Sequence, residues 1–158
     1  MSRFRALFAT LLSFMTSLQA ISEDAAFRIG VDSYIYGFPL LVMDESKQIS
    51  TNVSSPQNFR APINQFAHAR EFASTNFMLH SSPNQDTLSS LAWLDLSTEP
   101  MVLQIPTITE RYFLFEILDG WSNVIKVIGT QATGNNAQTY LICGPNSNQS
   151  TPSNMTRI

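Results

Sequence analysis

The sequence predicts an α+β fold, with an N-terminal helical segment followed by an antiparallel β-sheet that forms part of a β-sandwich. Two observations carry this. Helical periodicity is confined to the stretch before residue 50. Beyond residue 88, short runs of β-branched, aromatic and aliphatic residues alternate with clusters of turn residues. At 158 residues the chain is long enough for one domain with its own core. Charged residues make up 13% and hydrophobic residues 44%, a globular balance and not a disordered one.

The first element is an export signal over residues 1–20. Arg3 and Arg5 supply a positive start, Ala6 to Leu18 an apolar stretch, and Ala20 a small residue for cleavage. The stretch is too short to span a bilayer as a stable helix. The alternative is a buried N-terminal helix. Removing residues 1–20 takes two bases from nine and none of the twelve acids, which leaves a net charge of −5. A net acidic chain without a Lys/Arg cluster is a poor partner for nucleic acid or anionic lipid. The expected location is therefore outside the cytoplasm, periplasmic or secreted.

Ser22 to Met43 reads as a helix. Ser22 is placed to cap it, and Glu23 and Asp24 suit the positive end of the helix dipole. Gly37-Phe38-Pro39 is expected to kink or end it, with a second short helix from Leu40 to Gln48. Residues 50–62, rich in Ser, Asn and Pro, read as a loop.

Strands are expected at Leu88 to Leu96, Met101 to Ile105, Arg111 to Leu118, Val124 to Gly129 and Thr139 to Cys143. The third is apolar on both sides over most of its length, as a central strand would be. One domain is expected over residues 21–145, and the polar tail 146–158 reads as loop or disorder. Cys143 stands alone in a strand-like run, so no intrachain disulfide forms, and a buried, inert thiol is expected.

Short polar groups crowd residues 62–95, and these supply the candidate site. Asn64 and His68 lie four apart and would share a face if their segment were helical. His68 and Asp86 are the candidate base or metal ligands, with His80 or Asp95 as further ligands. The usual metal-binding spacings are absent, so no metal or cofactor is assigned. A neutral His68 bonded to backbone is the alternative. Pro83-Asn84-Gln85-Asp86-Thr87 reads either as a turn built by Asn84 or as the polar wall of a cleft. Ser89 and Ser90 lack the Gly-x-Ser-x-Gly frame of a serine nucleophile. Asp119-Gly120-Trp121-Ser122-Asn123 reads as a tight turn, with Trp121 as a stacking wall or a core pillar. Trp93 is expected in the core.

Six blocks in order carry a family resemblance: Tyr34 to Leu40, Asn64 to Arg70, Pro83 to Thr87, Ala92 to Leu96, Arg111-Tyr112 and Asp119 to Asn123. Together they resemble the bacterial family called domain of unknown function 1254 proteins, over roughly residues 25 to 145. The resemblance implies a β-rich module after an N-terminal helix, export in many members, and a following β-rich domain of the domain of unknown function 1214 type. It implies no catalytic assignment. Ser82 and Leu88 stand where the family tends to have Arg and Tyr. The sequence thus reads as a truncated or split member. Its function is that of an exported ligand-binding or accessory module, with a small-molecule ligand and a downstream domain or separate chain as partners. The alternatives are a hydrolase or metal-dependent enzyme using His68 and Asp86, or an inactive product.

Overall fold

The computed structural model describes residues 21–72, 84 and 86–158. The expected export signal and His80 lie outside the described residues. Among the described residues the architecture is one helix followed by seven short strands in three small sheets, an α+β fold as the sequence predicts. By its contacts the chain divides at Phe38 and Pro39 into two compact units.

Helix α1 spans Glu23–Thr51. Ser22 caps it as expected: its Oγ accepts from the Ala25 amide at 3.2 Å and its carbonyl from Ala26 at 2.8 Å. Against expectation, α1 runs through Pro39 without ending, so no separate helix begins at Leu40. Proline costs the Ile35 carbonyl its amide partner, about 3 kcal/mol in a helix interior. Long ladders on both sides carry the helix across that gap, and its far end is tied down. Arg60 donates from Nε to the Ile49 carbonyl at 2.9 Å and from Nη2 to the Asn52 carbonyl at 3.2 Å. The last turn of α1 holds no base of its own, so this loop guanidinium caps the orphan carbonyls. Ser50 is buried there and accepts the Ala61 amide at 3.1 Å.

Strands β1 (Phe66–His68) and β2 (Ser90–Ala92) pair antiparallel, with His68 opposite Ser90. The expected strand over Leu88 to Leu96 is thus shorter, and β1 was not foreseen. A helical face for Asn64 and His68 does not form. Asn64 sits at φ +62° in a turn, and the chain enters β1 two residues later.

Strands β3 (Met101–Ile105) and β6 (Gln138–Ile142) pair antiparallel over five residues each. Strand β7 (Thr156–Arg157) adds in parallel to the other side of β6. Residues 145–155 carry no helix or strand, in line with the loop reading of the tail, and only its end, at Thr156–Arg157, departs from that reading. Its anchors are few: Arg157 donates to the Ser147 carbonyl at 2.7 Å and the Gln149 carbonyl at 2.5 Å. Cys143 and Ile158 are linked by a bond from the Cys143 amide to the Ile158 carbonyl at 2.9 Å. The half-buried Cys143 thiol is free.

Strands β4 (Leu114–Leu118) and β5 (Val124–Gly129) form a two-stranded antiparallel sheet. The register slips after Ile117, so that Ile117 faces Lys126 and Leu118 faces Val124, leaving Ile125 as a bulge. Strand β4 is therefore not central. Its two apolar faces have different fates: Phe115 and Ile117 turn to the core, while Leu114 and Leu118 flank Glu116 on the exposed face. Gly129 ends β5 at φ +152°, where a Cβ would lie 2.3 Å from the Phe113 carbonyl oxygen.

The core centres on Ile105, Ile128 and Tyr140. Leu103, Phe113, Phe115, Ile117 and the C-terminal Ile158 pack against it, so β3, β4, β5, β6 and the tail all contribute. Phe66 meets Phe115 edge-on with centroids 6.5 Å apart, which joins the β1–β2 pair to β4.

Candidate functional site

Asn64 reaches across 31 residues to Asp95. Its Oδ1 accepts the Asp95 amide at 2.7 Å and its Nδ2 donates to the Asp95 carbonyl at 3.3 Å. Its own amide donates to the Trp93 carbonyl at 2.8 Å. Asn64 thus continues the β1–β2 ladder with a side chain that imitates backbone. Asparagine suits the place because it tolerates a left-handed φ. Asp95 turns the next corner, accepting the Ser97 amide at 2.9 Å. Hydrogen bonding by the Ser97 side chain, then by its amide, lowers the Asp95 pKa.

His68 lies exposed on β1, with Nδ1 2.8 Å from the Ser90 Oγ of the facing strand. Its ring stacks on Phe66, centroids 5.6 Å apart and 19° between planes. A cross-strand hydroxyl is the partner, not the backbone group the sequence suggested.

Asn84 builds its own turn. Its Oδ1 accepts the amides of Asp86 at 2.8 Å and Thr87 at 3.1 Å, and its Nδ2 donates to the Thr87 hydroxyl at 2.6 Å. Asp86 is exposed beside it. Among the described residues no hydrogen bond or ion pair joins Asp86 to His68.

Asp119 organises the loop between β4 and β5. Its Oδ1 accepts the amides of Trp121 at 2.8 Å and Asn123 at 2.9 Å, and its Oδ2 accepts from Asn123 Nδ2 at 3.0 Å. Side-chain bonding by Asn123, then its amide, holds the Asp119 carboxyl below the ordinary range, over a smaller opposing effect of burial. The five residues between the strands hold the tight turn that the sequence suggested, closed by the Ser122 amide on the Asp119 carbonyl at 3.1 Å, with Ser122 at φ +66°. Trp121 and Trp93 are both half-buried.

The site residues therefore fall into separate local clusters: Asn64 with Asp95, His68 with Ser90, Asn84 with Thr87, and Asp119 with Trp121 and Asn123. Three of them spend their polar atoms on backbone amides. Among the described residues no group of three His, Cys, Asp or Glu side chains is placed to hold a metal ion.

An open groove of about 340 Å³ lies elsewhere, between the start of β6 and the segment leading into β7. Strand β7 pairs with β6 only at Tyr140 and Leu141. Gln138 and Thr139 therefore have β3 on one side and the groove on the other. The lining includes Thr139, Tyr140, Ser153, Asn154 and Thr156, and it carries no charged residue. Sequence reasoning missed it because no local signal marks the tail as a neighbour of β6. The polar run Ser153-Asn154-Met155-Thr156 was the available hint.

The fold and these clusters define a small β-rich module with a helical N-terminus and turns built by Asn and Asp. The chain belongs to the family described as protein of unknown function (DUF1254), whose model matches residues 63–158. The match includes the blocks from Asn64 onward and the tail; the Tyr34 to Leu40 block lies before it. No curated protein matches the chain. Among solved structures, the VPA0106 protein from Vibrio parahaemolyticus is similar, with a TM-score of 0.56 and 20% identity. The similarity covers 80% of this chain and 28% of that one. At that identity it shows the fold alone. Among the described residues no helix is long and apolar enough to cross a membrane.

Proposed function

We propose that this chain is an exported β-rich module that binds an uncharged polar ligand, or serves as the accessory part of a larger assembly. The groove beside β6 carries this reading. Its hydroxyl and amide lining without a formal charge suits a neutral saccharide better than an anion or a cation. Asn64, Asn84 and Asp119 then act as turn builders that hold the scaffold, and His68, Asp86 and Trp121 do not line the groove. Arg3, Arg5 and the apolar stretch to Leu18 support export. The greater length of the similar Vibrio protein supports a further domain or chain as partner.

Maltose and cellobiose, titrated into isotopically labelled protein, test the groove. Binding in the millimolar range should shift the amide resonances of Thr139, Asn154 and Thr156, and Ser153→Trp should abolish those shifts. Silence at these amides up to saturating sugar refutes the saccharide reading. Mass spectrometry of protein expressed with an intact N-terminus tests export; an unprocessed chain retained in the cytoplasm refutes it.

One observation favours an enzyme as the second reading. The 2.8 Å contact between His68 Nδ1 and Ser90 Oγ is the nucleophile–base spacing of an acyl-transfer site. In that reading Ser90 Oγ attacks an ester carbonyl, His68 takes the hydroxyl proton and returns it to the leaving alkoxide. Labelling of Ser90 by a fluorophosphonate probe, lost in His68→Ala, would support it. Equal labelling of wild type and His68→Ala would rule it out.

A further inference from the structure

The first half of α1 presents an apolar seam to solvent. Phe27, Val31, Tyr34 and Phe38 follow one another at spacings of four, three and four residues, and they are 71%, 41%, 63% and 47% exposed. This alternation places the side chains along one line of a helix at the a and d positions of a heptad repeat. Tyr34 and Phe38 already touch along it, with centroids 5.6 Å apart. So many exposed large apolar groups mark an interaction surface, and Ile29, Ile35 and Tyr36 off this line are exposed as well, at 54%, 64% and 72%.

We propose that this seam pairs with the same seam of a second copy of the chain, as a parallel two-helix coiled coil. Charge and space choose this occupant. With Phe27 and Tyr34 at d, Glu23 falls at a g position and Arg28 at the e position five residues on. A parallel pair brings g of one helix against that e of its partner, so Glu23 meets Arg28 of the second copy twice over. Arg28 is free to exchange partners: its contact with Asp24, at 3.2 Å, is between side chains that are each about three-quarters exposed. The next two g positions are Gly30 and Gly37, where an added Cβ would meet nothing within 4 Å. They leave room for a neighbouring helix to approach.

Analytical ultracentrifugation of the full chain between about 1 and 100 μM, the range where short coiled coils exchange, tests the proposal. The weight-average mass should rise toward that of a dimer. Val31→Lys should hold the chain monomeric at an unchanged helical circular dichroism signal. Glu23→Arg should weaken the dimer about tenfold, and the double variant Glu23→Arg with Arg28→Glu should restore it. A monomer at every concentration overturns the proposal and leaves the seam to another domain or partner. So does a dimer that survives Val31→Lys.

Discussion

Asn64 and Asp95 exchange two hydrogen bonds, side chain to backbone, across 31 residues of chain. The pair closes the ladder that β1 and β2 begin, and it does so from a left-handed residue. Asn64→Ala loses both bonds and places a Cβ-bearing residue without asparagine's tolerance at φ +62°. At about 1 kcal/mol per bond and about 1 kcal/mol for the backbone, the expected loss is roughly 2–3 kcal/mol. Asn64→Gly relieves the backbone and should cost less. Urea unfolding of the three proteins checks the order; equal stability of the Ala and Gly variants would contradict it.

Gly129 and Gly134 provide a matched contrast. Both have positive φ, at +152° and +82°, but only Gly129 would drive a Cβ into backbone, 2.3 Å from the Phe113 oxygen. Gly129→Ala should therefore cost several kcal/mol or prevent folding, because the β4 backbone must move. Gly134→Ala meets open space and should cost about 1 kcal/mol, the left-handed penalty alone. Melting temperatures of the two variants separate them.

The tail belongs to the fold through Ile158 and Arg157. Ile158 packs against the Ile105, Ile128 and Tyr140 cluster while remaining half-buried. Ile158→Ala should destabilise by about 1–2 kcal/mol, below the range for a fully buried isoleucine. Arg157→Ala should release the 145–155 loop, which Arg157 holds through two carbonyls. Amide hydrogen exchange should then rise in that loop and at Cys143, with little change in β4 and β5.

Acid should loosen the β4–β5 loop. The folded-state pKa of Asp119 is lowered, first by the Asn123 side chain. Its stabilisation is thus complete above the ordinary aspartate pKa of about 4 and is lost as pH falls below that, through the lowered folded value. Asp95 acts in the same direction. Wild-type stability should fall between about pH 5 and pH 3, and Asp119→Asn should flatten that slope. An identical slope in the variant would show that the loop carboxyl contributes nothing.

Local chemistry was well marked in the chain. Ser22 announced its cap, and Met101 to Ile105 and Val124 to Gly129 showed their strands at the observed limits. Asn84 and Asp119 showed turns, because their short side chains reach backbone amides two to four residues on. The helix through Pro39 was not legible, since its continuation rests on Arg60 and Ala61, bonded to its far end from a later loop. Strand β1 is only three residues long and takes its identity from β2.

Composition and periodicity alone determined the α+β class, the acidic character and the turn-building role of the Asn and Asp residues, because these depend on neighbours within about one turn of chain. Tertiary structure decided the rest. It set Asn64 against Asp95, His68 against Ser90, and the tail against β6 with a groove between them. Such pairings join residues far apart in sequence, and the entropy of closing those loops is repaid only by contacts of the folded core.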